Sequence, residues 1–266
     1  MRIVVTGTRG IPDILGGVET HCEELFPRIA RKDIDVTLIR RKSYVHDSLT
    51  EYKGIKLVDL VTPKKKSFEA IIHTFKAILK AKSLHADIVH IHAIGPALVT
   101  PLARLLGMKV VFTHHGPDYD RDKWGFAAKT MLRLGERMGC MFANEVIVIS
   151  EVINDLLVRK YGRRDCHLIY NGVPAPDKVA DTDYLNSLGV EPCKYVFAMG
   201  RFVPEKNFHQ LIRAFAALKQ QNYKLVLAGD TDFEDDYSRK LKSLAKENAN
   251  GAVRIISSIC GVMTGY

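Results

Sequence analysis

Residues 87–115 read DIVHIHAIGPALVTPLARLLGMKVVFTHH. Residues 88–92 form a short β-rich run, and residues 96–106 carry the apolar spacing of a helix. Residues 110–113 are β-rich again. A strand, a crossover helix and a second strand in close succession is the unit from which parallel sheets are built. The same alternation continues in both directions. Upstream lie strands at 2–6, 35–39 and 55–60, with helices at 18–31 and 67–82. Downstream lie a helix at 126–141, a strand at 145–149 and a helix from its cap Ser150 to about Lys160. A strand at 167–169 closes the set. The fold class expected from this order is α/β, a doubly wound parallel sheet with helices on both faces. In such sheets ligands sit beyond the carboxyl ends of the strands.

YNGVPAP, residues 170–176, is a turn-rich break and marks a boundary between domains at 1–170 and 177–266. A second alternation follows, with strands at 195–199, 224–228 and 253–256 and helices at 207–220 and 237–248. The last stretch, SSICGVMTGY at 257–266, has neither period. Residues 177–266 are fewer than the ~150 of a usual doubly wound domain. The expectation is therefore a second domain that is incomplete in this chain and less stable than the first.

Composition narrows the class. Of 266 residues, 47% are hydrophobic and 26% charged, which excludes disordered and collagen-like chains. No apolar run approaches the ~18–20 residues of a membrane span, and the first apolar run is too short for a signal peptide. A cytoplasmic location is expected. Lys and Arg number 39 against 30 Asp and Glu, a net charge of +9. That sign favours phosphates, nucleic acid or an anionic membrane face, without choosing among them. The five cysteines (Cys22, Cys140, Cys166, Cys193, Cys260) are scattered and form no C-x-x-C pair, so neither a disulfide framework nor a zinc knuckle is indicated.

Several segments could carry chemistry. The first strand runs into Thr6-Gly7-Thr8-Arg9-Gly10, and the loop ends at Gly16-Gly17 before a helix. Glycines let backbone amides approach a phosphate at a helix N-terminus. The spacing is not G-x-G-x-x-G, and a tight turn without a ligand is the alternative reading. MGRFVPEKN, residues 199–207, puts Arg201 and Lys206 in one loop at a strand end, where two cations could clamp a diphosphate. Its alternative is a solvated basic loop paired with Glu205. His114-His115-Gly116 follows another strand. A histidine there can bond a sugar hydroxyl or a phosphate, or move a proton. His90 and His92, on the neighbouring strand, are read as alternating in direction, with one of them packed in the core.

Asp118, Asp120 and Asp122 alternate in a loop, but an EF-hand starting there would need Gly at Lys123 and Glu at Lys129. Loop structure and polar contacts to a substrate are the expected roles. Asp230, Asp232, Glu234, Asp235 and Asp236 read as a solvated acidic loop. The helix at 67–82 shows a stripe of Phe68, Ile71, Ile72, Phe75, Ile78 and Leu79. Lys64, Lys65, Lys66, Lys76, Lys80 and Lys82 surround it. Two uses stand open. The stripe can pack on the sheet with the lysines outward, and a basic amphipathic helix can also touch an anionic membrane.

These segments together resemble a known family. GGVET (16–20), DIVHIHAIGPA, THHGPDYDRDKWG, EVIVIS and YNGV are similar to the N-terminal half of bacterial GT-B glycosyltransferases of family 4, the group 1 transferases. GRFVPEKN resembles the donor-phosphate motif of their C-terminal half. The resemblance implies two Rossmann-like domains, the first receiving an acceptor and the second a nucleotide-diphosphate sugar. It implies transfer with retention of configuration and without a metal or other cofactor. By the same resemblance, Gly16 and Gly17 would offer amides to the donor diphosphate, and Arg201 and Lys206 would neutralise the leaving diphosphate. His115 would sit near the reacting sugar, with Glu19 and Asp118 on the acceptor side. A glycan or lipid-linked acceptor of surface polysaccharide synthesis, handled by a basic protein at the inner membrane face, would fit; no nucleic-acid recognition motif is present.

The chain departs from the pattern at one point. The family carries two glutamates separated by seven residues late in the second domain. After Arg201 this sequence has Glu205, Glu234 and Glu247 only. An inactive truncated form that at most binds ligand, and another GT-B-like enzyme such as a nucleotide-sugar epimerase, are the alternatives.

Overall fold

The computed structural model describes residues 1–62, 66–120, 124–173, 175, 181–218, 222–229, 235–247 and 252–256, with residues 66–68 as backbone only. Lys64, Lys65, Asp122, Asp230, Asp232, Glu234, Cys260 and the whole 257–266 stretch lie outside them, as do the side chains of Lys66 and Phe68. The chain divides into two compact units, Met1–Pro174 and Ala175–Tyr266.

In the first unit the order is β1 (Arg2–Thr6), α1 (Gly17–Ile29), β2 (Asp35–Arg41), β3 (Glu51–Tyr52), β4 (Ile55–Leu60) and α2 (Lys66–Ser83). Then come β5 (Ile88–His92), α3 (Thr100–Leu105) entered through a 3-10 turn at Pro96–Val99, and β6 (Lys109–His114). α4 (Phe126–Phe142), β7 (Glu145–Val148), α5 (Glu151–Tyr161) and β8 (His167–Leu168) complete it. The sheet order is β3-β4-β2-β1-β5-β6-β7-β8. Every pairing is parallel except β3 with β4. The antiparallel β3, too short to show a period, was not legible in the sequence.

Strand alternation divides the core between two faces. On β1, Val4 joins a cluster with Ile78, Val89, Ile91, Val110, Phe112 and Leu157. Its neighbour Val5 joins Ile11, Cys22, Phe26, Val36 and Leu38 on the α1 side. Ser150 caps α5 as expected, its Oγ accepting from the Ile153 amide at 3.3 Å. The inward face of α2 differs from the expected stripe. Glu69, His73, Thr74, Ala77, Ile78 and Ala81 are buried, while Phe75 and Leu79 are exposed. The reason is tertiary. Ala77 and Ala81 admit close approach to the sheet, and Glu69 accepts bonds from Ser43 and Thr62, so the helix turns a partly polar face inward.

The first loop is pinned to the sheet. Gly7 has φ +100°, and a Cβ there would lie 2.1 Å from the carbonyl oxygen of His92. Gly7→Ala is expected to cost about 1–3 kcal/mol for the backbone conformation alone, with the backbone clash added to it. A urea midpoint equal to that of the unaltered chain would contradict this.

In the second unit, α6 (Asp183–Ser187) precedes β9 (Tyr195–Met199), α7 (Phe208–Ala217), β10 (Lys224–Ala228), α8 (Asp236–Glu247) and β11 (Val253–Ile256). The strands form a parallel sheet in the order β9-β10-β11. Phe208, Ile212 and Phe215 of α7 pack with Leu225 and Leu227 of β10 and Leu241 of α8.

Candidate functional site

β1 has β2 on one side and β5 on the other. The chain leaves β1 towards β2 and later returns to β5, so this is the switch point of the sheet. Loops that leave neighbouring strands in opposite directions open a crevice there. The loop from Gly7 to Gly16 occupies this edge. Glu19 is buried, and its carboxylate accepts from Thr8 Oγ1 at 3.2 Å and the Arg9 amide at 2.9 Å. Thr8 Oγ1 in turn accepts from the Gly10 amide. At Gly16 (φ +156°) a Cβ would fall 1.9 Å from the Glu19 carboxylate, so a side chain there would be strained and would push the carboxylate aside. The Glu19 carboxylate thus points into the loop and holds its shape. No side chain caps α1 at Gly16, which leaves the first-turn amides and their partial positive charge for an anion.

Arg40 supports the same loop from beneath, and nothing in the sequence pattern singled it out. Its side chain is fully buried, paired with Asp59 at 2.6 Å and Asp47 at 2.9 Å. It also donates to the carbonyls of Ile11 and Leu49. A basic residue at the end of the buried strand DVTLIRR was the available signal.

Four histidines gather at the ends of β5 and β6. His90 and His92 do not alternate in direction, contrary to the expectation. Residues two apart on a strand share a face, and their rings stack with centroids 4.3 Å apart. Both meet Phe26 of α1 edge-on. His90 bonds Thr113 Oγ1 at 2.7 Å. His92 Nδ1 lies 2.9 Å from His115 Nε2, and His92 Nε2 is buried without a partner among the described residues. His21 of α1, which the sequence reading passed over, packs against His92 and His115 with centroids 5.7 and 5.3 Å away. One ring nitrogen each from His21, His92 and His115 lies within 4.8 Å of the other two. Burial, followed by the fields of the neighbouring histidines, lowers His90 to about 3 and His115 to about 4 and holds His92 well below the usual value. Burial lowers His21 as well. The cluster is therefore neutral near pH 7.

Next to it, His114 is fully buried and bonded at both nitrogens. Its Nδ1 accepts from the Gly116 amide at 3.0 Å. That leaves Nε2 as the donor to Glu136 Oε1 at 2.9 Å. Glu136, on α4, is buried and also receives Tyr119 at 3.1 Å, Lys160 at 2.5 Å and Tyr161 at 2.6 Å. Burial opposes its ionisation. The hydrogen bonds from His114, Lys160 and Tyr161 outweigh that and hold it down at about 2. This buried anion fixes His114, and through the Gly116 amide it fixes the turn that carries His115. Asp118 is half-buried in the same loop, its amide donating to the Gly116 carbonyl at 3.0 Å, while Asp120 is exposed.

In the second unit the loop after β9 is anchored by Phe202, fully buried and edge-on to Phe208 at 5.4 Å. The Gly200 amide donates to the Ala228 carbonyl at 3.0 Å, and the Lys206 amide to the Val203 carbonyl at 3.0 Å. Arg201 and Lys206 flank Phe202 and are both exposed. The structure thus brings His115 together with His21 and His92, and the Gly16-Gly17 turn together with Glu19. Arg201 and Lys206 share one loop of the other unit.

Known proteins are similar to this chain in sequence and in fold. Residues 15–175 match the model of Glycosyltransferase Family 4, and residues 184–259 match that of Glycosyl transferases group 1. An uncharacterized glycosyltransferase of Bacillus subtilis, YqgM, is 31% identical over 149 residues, which are 54% of this chain and 40% of that protein. The chain therefore aligns with less than half the length of this curated relative. Among solved structures, Anabaena Alr3699/HepE in complex with UDP has a TM-score of 0.73 at 21% identity, covering 99% of this chain and 71% of that one. Sucrose-phosphate synthase from Thermosynechococcus elongatus has a TM-score of 0.75 at 18% identity, covering 97% and 70%. These structures share the fold. With more than half of its residues matched by one family model, the chain belongs to Glycosyltransferase Family 4.

Proposed function

We propose that this chain transfers a sugar from a nucleotide-diphosphate donor to a glycan or lipid-linked acceptor, with retention of configuration. The observation that carries this reading is the convergence, at the switch point, of a glycine loop with uncapped helix amides and a cluster of neutral histidines. The solved complexes of Alr3699/HepE with UDP and with UDP-glucose support a nucleotide sugar as the donor class.

In the reaction the bond between the sugar C1 and the diphosphate oxygen breaks. The acceptor oxygen bonds to C1 on the same face, and its proton passes to the leaving phosphate oxygen. Arg201 and Lys206 neutralise the charge that grows on that phosphate. The amides at Gly16 and Gly17 serve an anionic group at the first unit's crevice. His115, neutral near pH 7, contributes a hydrogen bond to the sugar rather than a charge. Glu19 acts by shaping the loop, and Asp118 faces the acceptor side. No metal is required. The exposed Phe75 and Leu79 beside Lys76 and Lys82 support peripheral contact with an anionic membrane, and surface polysaccharide synthesis at the inner face of the cell membrane is the setting. Among the described residues no helix is long and apolar enough to cross a membrane.

A second reading is that the chain binds a donor without transferring its sugar. Both readings meet one experiment, in which the purified full chain is offered UDP-, GDP- and dTDP-sugars. Calorimetric binding and nucleotide release are recorded. Binding with release is the expected result, binding alone supports the second reading, and no binding to any donor refutes both.

A further inference from the structure

We propose that His21, His92 and His115 form a transition-metal site whose occupation blocks the substrate role of His115. The three side chains come from three separate elements: α1, the end of β5 and the loop after β6. Each is held by packing. His92 is fully buried between His90 and His115, with ring centroids at 4.3 and 5.2 Å. His90 is itself fixed by Thr113, and the His115 turn by the Glu136–His114 pair. A site assembled from a rigid sheet edge in this way loses little freedom when it takes an ion.

The chemistry of the donors points to one class of metal. Zinc–nitrogen bonds of ~2.0–2.1 Å in a tetrahedral site place neighbouring ligand nitrogens roughly 3.3–3.4 Å apart. The His92–His115 nitrogens at 2.9 Å and the limit of 4.8 Å across the trio need only small ring rotations to meet that spacing. No carboxylate or thiolate belongs to the trio. Imidazole sets of this kind take zinc, copper or nickel and leave magnesium and calcium to oxygen ligands. Imidazole binds a metal through a neutral ring nitrogen. His21 and His115 are only half-buried, so a fourth position remains open to water or a ligand.

The inference goes beyond the proposed transfer, and its test does not depend on turnover. The full chain, freed of metal with a chelator, is titrated with zinc chloride by calorimetry. The expected result is one zinc per chain. Magnesium chloride in excess should neither bind there nor displace it. His21→Ala and His115→Ala should each weaken zinc at least about 100-fold, since loss of even an outer partner costs ~10–100-fold. Circular dichroism and thermal melting verify that each variant is folded. Cobalt(II) should give the visible absorption of a nitrogen-ligated ion in the unaltered chain and lose it in His21→Ala. That pair of readings stands even if a His92 variant fails to fold. Absence of zinc binding overturns the proposal. So does binding of equal strength in both variants, as a site on exposed Cys193 would give, or equal binding of magnesium. If the chain transfers sugar, zinc should inhibit it and chelation should restore it.

Discussion

Arg201→Ala is expected to lower the rate of sugar transfer by up to about a thousandfold, the range for removing one donor that stabilises transition-state charge. Arg201 is exposed beside the buried anchor Phe202, so its removal leaves the second unit's core intact. A thermal midpoint close to that of the unaltered chain should accompany the loss. Because the charge on the departing diphosphate is larger in the transition state than in the bound donor, kcat should fall more than donor affinity. Arg201→Lys should recover part of the rate, since it keeps the charge and loses the fork. In a chain that binds without transferring, calorimetry reads the same contact: loss of a charged hydrogen bond weakens nucleotide-diphosphate binding by roughly 10–100-fold. An Arg201→Ala chain with unaltered kcat and unaltered affinity would remove this residue from the mechanism.

Glu136→Ala should destabilise the first unit by about 3 kcal/mol, the lower end of the cost of breaking a buried ion pair. The lower end applies because Lys160 keeps 38% of its side chain in water. It leaves His114, Tyr119, Tyr161 and Lys160 without their shared acceptor. For a unit of this size the thermal midpoint should fall by roughly 6–12 °C. The pH dependence has a definite sign. The carboxyl of Glu136 titrates at about 2 in the folded chain against an ordinary 4.5, so the unfolded chain binds the proton first. The stabilisation is full above 4.5 and is lost as pH falls towards 2. Urea midpoints of the unaltered chain and of Glu136→Gln should converge over that interval. A constant gap between them from pH 7 to pH 3 would show that Glu136 does not supply the titrating charge.

Much of the architecture was legible because it is local. The strands and helices of both units follow the periods of 2 and 3.6 in the sequence, and eight of the strands are copied nearly residue for residue from those runs. Ser150 announced its cap, and GRFVPEKN announced a basic loop at a strand end. One misreading was local, and the others depend on contacts far apart in the chain. The sequence reading sent His90 and His92 to opposite faces, although the strand period alone places residues two apart together. The stripe of α2 was chosen by apolarity, yet Glu69 finds Ser43 and Thr62, and the small side chains of Ala77 and Ala81 decide which face meets the sheet. Arg40 offered only a basic residue at the end of a buried strand, and Glu136 no pattern at all, since a buried charge is recognised by its partners.

By itself, the amino-acid order determined that this protein builds parallel sheets layered with helices, because each element's period is written within its own few residues. Only the tertiary structure decided that His21 from the first helix would meet His92 and His115. That meeting follows from the strand order, which sets β5 beside β1 and β6 beside β5. Strand order is fixed by how whole faces bury one another and not by any short run of residues.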